Sequence, residues 1–251
     1  MKRAALTLAA VAARLWGLLP AGLRHRFLFG LFVLEGRAGE PDAGLRNLFA
    51  VQDRLHVAIN ERAVALGHGE HPKHRLTRYH DFFVDRIPPA GRVLDVGCGY
   101  GAVARSIAVR LPGATVLGVD LDAPRLAQAK AADNPKNLSF DLRDATRDLP
   151  PGGWDVVVLS NVLEHIHQRP AFLRALLKSA GPSRVLIRVP LFERDWSIPM
   201  RRELGVNYFT DDTHFIEHTL DEFAADMAAG GLAVREIKTL WGEIWADCVP
   251  A

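Results

Sequence analysis

The stretch from Val93 to Gly101 reads VLDVGCGYG. An apolar run this short suits a buried strand and falls well short of a buried helix. Three glycines at alternate positions follow it, Gly97, Gly99 and Gly101, where the backbone can turn through left-handed angles and approach a ligand closely. The next residues, AVARSIAVRL, place Val103, Ile107 and Leu111 on one helical face. Strand, glycine turn and helix in that order open a parallel sheet covered by helices on both faces.

The remaining sequence continues the alternation. TVLGVD is a second strand, and Asp122 caps the helix after it with Pro124 in the first turn, where a missing N–H does no harm. NLSFDL is a weaker strand and WDVVVLS a strong one; RPAFLRALLKSAG is a helix and RVLIRVP a fifth strand. LAVREIKTLW and EIWADCV, with Gly242 between them, predict an antiparallel hairpin at the sheet edge. The expected fold is α/β: a Rossmann-like, seven-stranded, mostly parallel sheet with helices on both faces and an antiparallel C-terminal hairpin. Residues 1–90 read as a helical extension, with an interfacial segment over 1–34 and a lid over 70–89. Residues 91–251 read as the ligand-binding domain, interrupted by a long insertion over 190–218.

Ligands of such sheets bind beyond the carboxyl ends of the strands, beside the first one. The pattern GxGxxA, ending at Ala102, also fits a dinucleotide, but Asp95 argues against it. A carboxylate two residues before Gly97 would face a doubly charged pyrophosphate, which favours a bare helix N-terminus. A ligand carrying an ammonium or sulfonium group would gain from that aspartate. Asp120 ends the second strand roughly twenty residues on, the separation at which an acid reaches a ribose diol. Leu121 offers a purine an apolar surface, and Asp144 with Ala145 follows the third strand, where Asp144 either meets an amine or sits in a turn.

DVGCGYG, VDLD, the pair Asp144-Ala145 and SNVLEHI after the fourth strand together resemble the class I S-adenosylmethionine-dependent methyltransferases, over about residues 91–189. The resemblance implies S-adenosylmethionine as cofactor. It places Gly97, Cys98, Gly99 and Gly101 along the methionine part, and Asp95 near the amino group. It gives Asp120 the ribose hydroxyls, Leu121 and the pair Asp144-Ala145 the adenine, and Asn161 and Val162 the side of the pocket next to the methyl group.

The acceptor leaves fewer marks. The stretch 190–218 far exceeds the ~2–6 residues usual between a strand and a helix, and long connections at the ligand end tend to carry function. Arg194, Trp196, Tyr208 and Glu217 in it suit a polar, ringed acceptor, and Arg75, Tyr79 and His80 before the first strand suit a lid. A hydroxyl acceptor needs a base near neutral pKa, and His214, His218 and His165 are the candidates. His214 and His218, near Asp211 and Asp212, also have metal-ligand spacing, but with no HExxH and no cysteine nearby no metal is expected. Thr219 and Glu222 form a capping box for the last helix.

A net charge of +2 gives no footprint for nucleic acid. Two cysteines without CxxC spacing exclude a disulfide framework and fit a reducing, cytoplasmic setting. The first 34 residues are rich in alanine, leucine and phenylalanine, and no stretch reaches the ~20 apolar residues of a spanning helix. They read either as helices packed on the main domain or as an interfacial segment whose Arg3, Arg14, Arg24 and Arg26 meet anionic headgroups at the inner membrane face; a cleaved signal is a third reading. The segments HPKHRLTRYHDFF and TDDTHFIEHT are similar to those of bacterial methyltransferases acting on surface polysaccharide precursors. The expected function is therefore O-methylation of a saccharide or lipid-linked glycan. The rival acceptor is a quinone or other lipophilic small molecule, and a non-catalytic scaffold is the reading from another class.

Overall fold

The computed structural model describes residues 2–68 and 71–251, with side chains described from Ala10 onward. The proposed headgroup contact of Arg3 and the first residue of the expected lid, Glu70, lie outside the described residues. The chain forms two compact units, one of residues 1–70 with 201–206, the other of residues 71–200 with 207–251.

The first unit is helical. Helices α1 (Lys2–Leu18) and α2 (Ala21–Gly36) meet at a break bent by 112°, and among the described residues no single helix is long and apolar enough to cross a membrane. Helix α3 (Pro41–Leu66) starts with proline in its first turn and packs closely against the end of α2. A Cβ on Gly44 would stand 2.0 Å from the carbonyl oxygen of Gly36, so only glycine permits the approach. Arg201 belongs to this unit as well. It is buried against α3, with its guanidinium over the Phe49 ring, a 2.9 Å bond to Gln52 and a 2.9 Å pair with Asp53.

The second unit carries the sheet, with strands β1 (Arg92–Val96), β2 (Thr115–Asp120), β3 (Leu138–Leu142), β4 (Val156–Ser160), β5 (Arg184–Pro190), β6 (Leu232–Leu240) and β7 (Glu243–Pro250). Their order is β3-β2-β1-β4-β5-β7-β6, parallel except for β7, which runs antiparallel to both neighbours. Chain order reverses at β1, so the glycine turn that ends β1 lies at the switch point where open sheets bind ligands.

Successive residues of the central strands face opposite cores, which explains their unbroken apolar character. Leu94, Val157, Leu159, Val185 and Ile187 pack with Leu173 and Leu176 of α8 (Arg169–Ala180) and Phe223 and Met227 of α10 (Leu220–Ala229). Val93, Val116, Val156, Val158 and Leu186 pack instead with Ile107 of α6 (Ala102–Arg110) and with Phe82, Phe83 and Val84. The last three lie on α5 (Tyr79–Val84). Residues 79–84 are thus core rather than lid: Phe83 is fully buried, and each aromatic ring buried here contributes roughly 1.5–3 kcal/mol that an open lid would forfeit.

Asp122 caps α7 (Ala123–Ala131) by accepting from the Arg125 N–H, and Thr219 and Glu222 close the capping box of α10 as expected. The hairpin turn takes Trp241 as well as Gly242, at φ of 56° and 74°. Two positive φ values are what a tight turn between twisted strands requires.

Candidate active site

The three glycines of the β1 turn all take positive φ, at 68°, 53° and 76°. A Cβ on Gly97 would come within 2.8 Å of Val162 Cγ2, because the loop after β4 closes over the end of β1. A Cβ on Gly99 would meet nothing within 4 Å. Its backbone therefore stands open to a ligand, while its N–H donates to Asp120 Oδ2 at 2.7 Å.

Asp120 is buried, and its other oxygen accepts from the Asp122 N–H at 2.8 Å. The carboxylate is held at both oxygens, each with a lone pair left for a hydroxyl. Beside it Leu121 stays 71% exposed, an apolar side chain with open space for a ring. Asp95 is buried at the end of β1, and its Oδ2 has no hydrogen-bond partner. Burial first, then the charge of Asp120, pushes its carboxyl up to about 7 against the N–H bond from Ala104. An orphaned buried carboxylate oxygen is expensive unless something meets it, and an ammonium group does. Cys98 is buried beside Gly118, and the same negative neighbours together with burial raise its thiol well above the usual range. These residues fit S-adenosylmethionine: a cationic end at Asp95, a diol at Asp120 and an adenine over Leu121.

Asp144 sits in a turn, where Oδ1 accepts from the Thr146 N–H at 3.0 Å and from its hydroxyl at 2.5 Å. Ala145 beside it packs on the core, leaving the backbone of this turn as its face to the ligand. Asn161 takes φ of 58° at the end of β4, and its amide donates to Glu164 Oε1 at 2.7 Å. Val162, Asn161 and Glu164 thereby run from the glycine turn into a polar cluster.

That cluster is Glu164, His165 and His214, each offering one donor atom within 4.8 Å of the others. Glu164 and His165 lie in a short 3-10 turn, Leu163–His165. Glu164 is fully buried, its Oε2 has no partner, and burial lifts its carboxyl to about 7. The rings of His165 and His214 meet edge to face at 4.6 Å. Burial and then the neighbouring His214 lower the His165 pKa. Beside His165 opens a cavity of about 470 Å³ with a mixed lining, apolar at Ile166, Phe172 and Phe215 and polar at Thr146, His167 and Gln168.

His218 stands apart from the cluster. It is fully buried, with Nε2 3.2 Å from Asp226 and Nδ1 without a hydrogen-bond partner, and Asp226 also pairs with Arg169 at 2.5 Å, which ties α10 to α8. Glu217 and Arg194, expected to grip the acceptor, grip each other. Glu217 also accepts from the Thr210 N–H at 2.5 Å, and Arg194 donates to the Tyr208 carbonyl at 3.1 Å. They fold the long segment onto itself. Tyr208 stacks on Phe209 at 4.3 Å, and Trp196 is 70% exposed. Arg75 is exposed on α4 (Lys73–Thr77).

Tyr79 is buried under Arg188 at 3.8 Å, with its hydroxyl 2.7 Å from His74 Nδ1, and burial raises it to about 12. His80 is driven down to about 4, first by burial and then by His74, so it is a neutral imidazole. Sequence reading missed Arg188, which forks onto Glu243 at 2.7 and 2.9 Å and donates to Ser160 at 3.1 Å. It also missed Glu164, whose only signal was its place beside His165.

The model of a methyltransferase domain family matches residues 68–237, and the chain belongs to that family. It is an S-adenosylmethionine-dependent methyltransferase of class I. Relatives include a 2-methyl-6-phytyl-1,4-hydroquinone methyltransferase of Synechocystis sp., 27% identical over 88% of this chain and 76% of that protein. A ubiquinone biosynthesis O-methyltransferase of Rhodopseudomonas palustris is 32% identical over 58% of this chain and 59% of its own length. The chain thus spans about three fifths of the second. Among solved structures, magnesium protoporphyrin IX methyltransferase of Synechocystis with bound S-adenosylhomocysteine aligns at a TM-score of 0.54, 17% identity, over 70% of this chain and 84% of that one. The neocarzinostatin-pathway O-methyltransferase, solved with S-adenosylhomocysteine and 1,4-dihydroxy-2-naphthoic acid, aligns at 0.57, 20% identity, over 82% and 59%. Both share its fold.

Proposed function

We propose that the protein methylates a hydroxyl of a lipophilic, hydroquinone-like ring drawn from a membrane surface. The observation that carries this is the pairing of a polar cluster at the end of β4 with a partly apolar cavity that shares His165. An apolar ring body with hydroxyl groups suits that pairing. Alignment of the acceptor oxygen with the sulfonium methyl supplies much of the rate in such a displacement, and Asn161 and Val162 stand on the cofactor side of it. The saccharide favoured by the sequence has no support in the comparisons, whereas two relatives bear hydroquinone and ubiquinone names.

Helix α2 supports the membrane. It has no buried residue, and Leu23, Phe27, Phe29, Leu31 and Leu34 are 46–69% exposed. A helix with this many apolar side chains open to water needs a cover. Arg24 and Arg26 in its first turns and Arg14 of α1 would meet anionic headgroups. The protein thus works on the inner face of the membrane, held by α1 and α2.

The test is methyl transfer from labelled S-adenosylmethionine to a panel of prenylated hydroquinones, short-chain hydroquinones and polyprenyl-linked saccharides, in anionic vesicles. Prenylated hydroquinones should be labelled fastest. Labelling of the saccharides alone would overturn the proposal.

A further inference from the structure

We infer that Glu164, His165 and His214 form a binding site for one divalent transition-metal ion. Two imidazoles and one carboxylate on one side of an ion, with the other positions open, are a recurrent donor set for such ions. Three donor atoms already lie within 4.8 Å of one another. Donors at ~2.0–2.2 Å from zinc stand ~3–4 Å apart, so the ion would draw them in by about 1 Å through side-chain torsion.

The independent observation is Glu164. Its side chain is fully buried, one oxygen is fixed by Asn161, and the other has no partner. Neither histidine fills that gap with a hydrogen bond, because the Nδ1 atoms face elsewhere. His165 Nδ1 lies 2.9 Å from Thr213 Oγ1, and that hydroxyl in turn donates to Asp211 at 2.6 Å. His214 Nδ1 lies 3.5 Å from Glu217 Oε1 and from Thr210 Oγ1. Each ring is left with Nε2 for a ligand. A histidine whose outer nitrogen is oriented by a carboxylate or hydroxyl is the usual support of a metal ligand. Glu217 is itself buried and held by Arg194 and the Thr210 N–H, so the support is rigid.

Nitrogen donors select the ion. Zinc and iron(II) accept imidazole, while manganese and magnesium prefer oxygen and water. His165 borders the partly apolar cavity, so an acceptor hydroxyl could take an open position on the ion. Its proton would pass to water, its oxygen would bond the methyl carbon as the carbon–sulfur bond breaks, and S-adenosylhomocysteine would leave. That use of the ion rests on the hydroxyl acceptor proposed above; binding of the ion does not.

The test uses the full chain, stripped with chelator and desalted, then titrated calorimetrically with Zn²⁺, Mn²⁺ and Mg²⁺, with metal content measured after dialysis. About one equivalent of Zn²⁺ should bind, and Mn²⁺ and Mg²⁺ more weakly. Glu164→Gln and His214→Ala should abolish the stoichiometric binding, and so should His165→Ala, whose half-exposed position makes misfolding improbable as a cause. Glu217→Gln should weaken it ~10- to 100-fold, the usual effect of losing an orienting partner. A melting-temperature rise with S-adenosylhomocysteine, retained in every variant, would show that fold and cofactor site survive. No stoichiometric ion in the unaltered protein, or equal binding by the three ligand variants, would overturn the site. If the ion binds but no member of the acceptor panel is methylated, the site stands and the acceptor reading falls.

Discussion

Asp95 concentrates the tension between folding and binding in one residue. Its carboxyl, raised to about 7 in the folded protein, has an ordinary value near ~3.9 when unfolded. The folded state therefore keeps a proton that the unfolded state gives up. Stability contributed by the neutral acid is full below ~4 and is lost as pH rises towards 7. The cofactor's ammonium needs the opposite, a carboxylate. Affinity for S-adenosylhomocysteine should thus fall as pH drops through about 7, with ~10-fold lost per unit below it, a slope read by calorimetry between pH 5.5 and 8.5. Asp95→Asn should flatten that slope and weaken binding, yet raise the melting temperature at pH 8. An unchanged slope in the variant would overturn the assignment of the dependence to Asp95. Gly97→Ala attacks the same turn sterically. The new Cβ needs φ near 68° and would stand 2.8 Å from Val162, so cofactor binding should drop at least tenfold, measured by loss of the thermal shift.

Individual elements make separable predictions because they do different work. Helix α10 opens on the capping box of Thr219 and Glu222; Thr219→Ala should cost about 1 kcal/mol in urea unfolding with no loss of cofactor affinity. Helix α2 offers its apolar residues to solvent. Phe27→Glu combined with Phe29→Glu should leave the melting temperature within a degree or two and abolish sedimentation with anionic vesicles. A collapse of stability in that double variant would show α2 to be core instead. Binding by the unaltered protein should also weaken as salt rises, since Arg14, Arg24 and Arg26 act through screened charge. The two ends of the long segment from 190 to 218 brace each other: Arg194, Glu217 and Tyr208 spend their polar groups on one another and leave His214 as the contribution to the cluster.

At the scale of the whole molecule, one ligand should stabilise the fold by linkage. S-adenosylhomocysteine at 100 times its Kd should add about 2.7 kcal/mol, visible as a rise in melting temperature, while NAD should add nothing. A rise with NAD alone would contradict the charge logic of Asp95, which opposes a pyrophosphate and welcomes a cation.

How far the sequence alone reached follows from where its information is local. The strand–glycine–helix order, the capping residues, the edge hairpin and the acids at the ends of β1 and β2 are all set by neighbours within a few positions, and the structure shows each where the pattern placed it. The sequence placed α5 in a helical extension and a lid, but only the tertiary structure decided that Phe82 and Phe83 bury it in the core. The same holds for the histidines. Spacing paired His214 with His218, two residues on one short segment, and from that pair no metal was expected. Folding carries His218 away to Asp226 and sets His214 against His165, 49 positions earlier in the chain, with Glu164 beside them and one of its oxygens unpaired. A donor set drawn from separate loops has no period in the sequence, because the contact that makes it exists only once the sheet has brought the ends of β4 and the excursion together.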